Sequence, residues 1–179
     1  MQVPEPQISV LPVPIATIST GMEIWLASIV FPFVETKDLG KVYIERVAYR
    51  IGPKRGPEPD LGFVCKAREV LRRRGFIDGP PDVAIEIVSP DSVDRDYVAK
   101  RAMFEQAGVG EYWILDPDHH RATFLRLQEG KFIEVAPVQN IFRSQVLPGF
   151  EIDVRWLWAQ PRPQAYEVLR RLLEGPSAP

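Results

Sequence analysis

At 179 residues the chain has room for one domain with a substantial core, and its 45% hydrophobic and 26% charged residues are ordinary for a soluble globular protein. A net charge of -2 excludes a global basic field for nucleic-acid binding, so any such contact must be local. The single cysteine, Cys65, excludes an internal disulfide framework and a cysteine-rich zinc site, and points to a reducing cytoplasm.

Residues 1–19, opening MQVPEPQISVLPVP, are Pro-rich and predict an extended arm. They lack a basic start and do not read as a signal peptide. No apolar run reaches the roughly 20 residues needed to cross a membrane. Residues 20–179 read as a single domain. Residues 20–35 predict a buried helix, capped by Thr20 and ended or kinked by Pro32. KVYIERVAYRI (41–51) alternates as a strand, GPKRGPEP (52–59) is a loop by composition, and DLGFVC (60–65) is a second strand. KAREVLRRRG (66–75) is a basic helical turn or loop. DVAIEIV (82–88) predicts a central strand, and residues 92–107 a helix closed by Gly108. EYWILD (111–116), RATFLRL (121–127) and KFIEVA (131–136) follow as strands. QVLPGFEIDV (145–154) predicts a late strand and AYEVLRRLLE (165–174) a last helix. The class is α/β, a mixed β-sheet flanked by helices.

The central strand carries an anomaly. Side chains alternate, so Asp82, Ala84, Glu86 and Val88 share one face, while Val83, Ile85 and Ile87 share the other. A carboxylate between Ala84 and Val88 is costly to bury unless a cation or hydrogen bonds meet it. Asp82 and Glu86 cannot grip one ion together. Four residues at about 3.3 Å each put their Cα atoms roughly 13 Å apart. A second acid must come from a neighbouring strand, and Asp60 is the candidate. Asp82, just after a proline, either bonds loop amides or joins the site from the strand's entrance.

A second anomaly lies in the following helix. Its apolar stripe is Val93, Tyr97, Phe104 and Ala107, and Lys100 falls inside it. The ammonium either snorkels to water or is aimed at Glu86. Two acids able to hold a divalent cation, with a lysine beside them, suit metal-activated attack of water on a phosphoester. Oxygen ligands without clustered histidine or cysteine favour Mg²⁺ or Mn²⁺ over Zn²⁺. His119 and His120 read as exposed turn residues.

PDVAIEIVSP, then D-x-x-x-K in RDYVAK, then AGVGEYWILDP, resembles the Uma-type putative restriction endonucleases of the PD-(D/E)xK nuclease superfamily. LPGFEIDV, near residue 150, is similar to a late strand of that family. The resemblance implies a restriction-endonuclease-like core and metal-dependent phosphodiester hydrolysis. It implies catalytic roles for Asp60, Glu86 and Lys100, with Asp60 and Glu86 on the metal. Val88 stands where the superfamily carries its lysine, and the family resembled supplies that lysine from the next helix, as Lys100 would. Glu23 and Glu45 are weaker accessory candidates.

A nucleic-acid substrate, with DNA expected, needs cations for its phosphates. Lys54 and Arg55 precede Asp60, Arg68, Arg72, Arg73 and Arg74 precede Asp82, and Arg101 follows Lys100. These are the expected contacts, unless they are ordinary solvated loops. Trp156 and Trp158 in the apolar late segment suggest a homodimer. The rival expectation is a nuclease fold that has lost its activity and serves as a binding or assembly protein.

Overall fold

The computed structural model describes residues 15–44, 47–53 and 56–175. The expected arm lies outside these up to residue 14, and Glu45, Lys54 and Arg55 lie outside them altogether. The first helix, α1 (Ile15–Thr36), begins upstream of Thr20, which is therefore not its cap. No proline interrupts the chain from Ile15 to Phe31, and Pro32 falls in the closing turns, where it removes one helical bond without ending the helix. Met22, Trp25, Leu26, Ile29, Val30, Phe33 and Val34 form its buried stripe. The helix is not buried all round, since Ile24 and Phe31 face outward.

The main sheet has the order β1 (Gly40–Ile44), β3 (Leu61–Cys65), β6 (Val83–Ile87), β7 (Glu111–Asp116), β8 (Arg121–Gln128), β9 (Lys131–Glu134). Only β6 and β7 run parallel, joined by a crossover through α2 (Arg101–Ala107); the other pairs are antiparallel. The expected strand 41–51 is thus broken, into β1 and the two-residue β2 (Ala48–Tyr49). β2 joins β4 (Arg72–Arg73) and β5 (Phe76–Ile77) in a small sheet. Tyr49 from this sheet lies against Gly62 of β3, where any Cβ would overlap its hydroxyl.

Alternation on β6 sorts two cores. Val83, Ile85 and Ile87 pack with α1, Trp113 and Leu115, and with the late segment. Ala84 and Val88 pack with Phe104 of α2, Tyr112 and Ile114. The expected late strand is a turn followed by β11 (Glu151–Asp153), paired with β10 (Ile141–Arg143). Leu147 to Phe150 form the turn, closed by Phe150 N–H to the Leu147 carbonyl at 3.0 Å with Gly149 at φ 81°. A short α3 (Val154–Trp158) follows, with Trp156 and Trp158 half-buried against the main core. The last helix, α4 (Ala165–Glu174), lies on α1, and Trp25 donates its indole N–H to the Pro163 carbonyl at 2.7 Å.

Glu111 ties the late segment to the sheet. It is fully buried and accepts from Ser144 Oγ at 2.7 Å, Gln145 N–H at 2.8 Å, Trp113 Nε1 at 3.1 Å and Arg126 Nε at 3.3 Å. A buried carboxylate so fully bonded is a structural pin.

Candidate active site

The β3–β6 register pairs Leu61 with Ile85, so Asp60 and Glu86 come next along the two strands. Directly opposed residues in an antiparallel pair lie about 5 Å apart. Asp60 is fixed there by its own strand partner, since its Oδ2 accepts the Ile87 N–H at 2.6 Å. The preceding Pro59 has no N–H to offer a ladder, and the carboxylate makes the join instead.

Glu86 is 2% exposed, and Lys100 Nζ donates to its Oε1 at 2.5 Å. Burial pushes the Glu86 carboxyl up to about 8; the Lys100 ammonium opposes this rise, and the nearby Asp60 and Asp96 charges add to it. The ammonium is aimed inward, as one of the two sequence readings expected.

The helix that delivers Lys100 is not a regular α-helix. A π-helical stretch over Arg95–Lys100 runs directly into α2, and its wide turns take in an extra residue. The inward positions become Ser92, Asp96, Lys100 and Phe104, spaced by four. Val93, expected inside, is 38% exposed, and Tyr97 is only half-buried. Asp96 takes the inward place at 1% exposure. Its Oδ1 lies 3.5 Å from Lys100 Nζ and 3.4 Å from Arg95 Nε. Tyr112 Oη, from β7, donates to the Asp96 carbonyl at 2.9 Å. Burial, together with the Glu86 and Asp96 charges, pushes that phenol's pKa upward, so it is a neutral donor.

Asp60, Glu86 and Lys100 thus line one open cavity of about 480 Å³, with Glu23, Glu58, Ser89, Arg95 and Asp96. Glu23 comes from α1, as an accessory acid would. Asp82 is not brought to this cavity. It lies at the other end of β6, where its carboxylate accepts from Cys65 N–H at 2.7 Å and pairs with Arg68 at 2.7 Å. Arg72, Arg73 and Arg74 line a different groove, on the small sheet with Tyr43, Val47 and Phe76. Arg101 is exposed just past the π-helical stretch. His119 and His120 are exposed; His119 Nδ1 meets Asp116 at 2.9 Å and His120 stacks on Trp158.

Sequence reasoning missed Arg95 and Glu58, and it met Asp96 only as the first letter of D-x-x-x-K. The signal at Asp96 is an acid one turn before an inward lysine, but a count at 3.6 residues per turn does not put it on the inward face. Among the described residues, no three Asp, Glu, His or Cys side chains form a ready cage for a metal ion. The paired Asp60 and Glu86 carboxylates nonetheless suit Mg²⁺ or Mn²⁺. Mg²⁺ in particular keeps several waters and needs only one or two protein carboxylates. Burial is the main reason the Glu86 pKa is raised, and the Asp60 and Asp96 charges add to it; a bound cation would relieve that added repulsion.

A family model described as "Uma2: Putative restriction endonuclease" matches residues 10–155. A solved structure, described as that of a "putative nuclease belonging to DUF820" from Anabaena variabilis ATCC 29413, is similar in fold. The match covers 83% of this chain and 82% of that one, with a TM-score of 0.64 at 16% identity. No curated protein matches the chain.

Proposed function

The chain belongs to the Uma2 family of putative restriction endonucleases, and from that premise we propose that it is a Mg²⁺- or Mn²⁺-dependent endonuclease acting on DNA in the cytoplasm. The observation that carries this reading is the meeting of Asp60, Glu86 and Lys100 in one cavity. Asp60 and Glu86 would hold the cation. A bound divalent ion supplies a Lewis acid beside the scissile phosphate and lowers the pKa of its water. Lys100, already held at Glu86, would donate to a non-bridging phosphoryl oxygen and stabilise the charge that builds there. Arg95, at the cavity wall with its side chain 59% exposed, is placed to meet a neighbouring phosphate.

Contacts farther along the substrate would come from Arg72, Arg73, Arg74 and Arg101, and from Lys54 and Arg55 in the loop before Asp60. A homodimer, which would suit double-strand cutting, is part of the same proposal, and sedimentation tests it. Lys100 also supports a rival reading, an inert nuclease-fold binding protein, because its hydrogen bond satisfies the buried Glu86 without any metal.

The deciding experiment offers plasmid DNA, single-stranded DNA and RNA to the protein with Mg²⁺ or Mn²⁺. Cutting of DNA by wild type, abolished by Glu86→Gln and by Lys100→Ala, is the expected result. Cutting that survives both substitutions rejects this active site, and nucleic-acid binding without cutting favours the inert protein.

A further inference from the structure

The Lys100 ammonium sits between two buried carboxylates, Glu86 at 2.5 Å and Asp96 at 3.5 Å. If Glu86, once ionised, turns to a divalent cation, the two positive groups repel each other, and the Lys100 side chain, 11% exposed, is poorly screened. Lysine would then leave the cavity unless a second anion held it. Asp96 is the anion within reach, and two features fix it there. The π-helical stretch turns it inward, and Tyr112 Oη fastens its carbonyl to the central strand at 2.9 Å. Its carboxylate is nine-tenths or more buried and faces the same cavity.

We propose that Asp96 is a positioning residue, a second seat that keeps the Lys100 ammonium in the cavity when Glu86 engages the cation. This rests on the metal-dependent reading above and adds a role for a residue outside its catalytic set. Asp96 acts only through Lys100 and touches neither water nor phosphate in the reaction. The wide turn places Asp96 and Lys100 on one line of the helix, so the seat moves as one piece with the group it holds.

The test uses the ¹⁵N-labelled full chain and the lysine ammonium NMR spectrum, with the Lys100 signal assigned by its loss in Lys100→Met. Without metal, wild type and Asp96→Asn should both show that signal, because Glu86 holds the ammonium in each. With Mg²⁺, wild type should keep it, while Asp96→Asn should lose it or exchange its protons at least tenfold faster. In cleavage assays the same variant should lose at least tenfold in kcat, with KM for DNA and Kd for Mg²⁺ within twofold of wild type. An Asp96→Asn protein that keeps its Lys100 signal in Mg²⁺ overturns the proposal and leaves the nuclease reading intact. A wild type whose Lys100 signal does not even shift on adding Mg²⁺, and that does not cut, overturns both. Should Asp96→Asn not fold, Asp96→Ser is read in the same way, and failure of both to fold assigns Asp96 to folding alone.

Discussion

Replacing Glu86 by glutamine should flatten the pH dependence of stability of the metal-free protein. The side chain is 2% exposed, and its carboxyl rises from an ordinary 4.5 to about 8. In the folded chain the acid therefore keeps a proton that the unfolded chain has already lost over most of that interval. The sign follows from linkage: its contribution is full below about pH 4.5 and is lost as the pH climbs through about 8. A rise of roughly 3.5 units, at about 1.4 kcal/mol per unit, sets a ceiling of about 5 kcal/mol, with a slope no steeper than about 1.4 kcal/mol per pH unit. Glutamine is close in shape to the protonated acid and has no such titration. Its amide oxygen can still accept from Lys100 while Asp96 supplies the negative charge, an offset that does not follow the Glu86 titration, so the slope rather than the absolute stability is diagnostic. Urea unfolding in EDTA at pH 5, 6, 7 and 8 measures it. Wild type should lose a few kcal/mol more than Glu86→Gln between pH 5 and 8. Parallel curves for the two proteins would refute the raised Glu86 pKa and the crowded-acid account of the cavity.

Three other outcomes are expected. Changing Arg72, Arg73 and Arg74 together to alanine should weaken DNA binding and reduce the slope of log K against log salt by up to about 3, as read in salt titrations, if all three meet phosphates. Asp82→Ala breaks the Arg68 pair and leaves the Cys65 N–H without its acceptor; it should cost about 1–3 kcal/mol in denaturant unfolding while the folded fraction still cuts at the wild-type rate. Gly62→Ala puts a methyl into the Tyr49 hydroxyl and should destabilise by about 1–3 kcal/mol in the same assay, whereas combining it with Tyr49→Phe should recover part of that loss.

The centre of the site was legible because its signals are local. DVAIEIV, whose middle five residues form β6, reads as a strand, and Glu86 breaks its apolar run, so burial and a cationic partner could be argued before any coordinates. Asp60 followed from strand rise and α4 from its helical period. Longer-range features left no such trace. The two-residue strands β2, β4 and β5 are too short to carry a period, so Arg72 to Arg74 were placed beside the cavity instead of on a separate small sheet. LPGF read as strand until Gly149 turned the chain there. The π-helical stretch moves the buried stripe by one residue, from Tyr97 to Asp96, and a count at 3.6 residues per turn cannot register it. The Asp96 carbonyl in that stretch is held by the hydroxyl of Tyr112, a contact sixteen residues away that no local pattern reports.

The bond from Ile87 N–H to Asp60 has a bearing on ion choice. One oxygen of Asp60 is committed to the backbone of the strand that carries Glu86, and one oxygen of Glu86 to Lys100. While these bonds last, contact with an ion through one oxygen of each acid is the least crowded arrangement. On the proposed metal-dependent reading, such contact would suit a small octahedral ion that keeps its own waters better than Ca²⁺, which asks for about 6–8 oxygens and often two from one carboxylate.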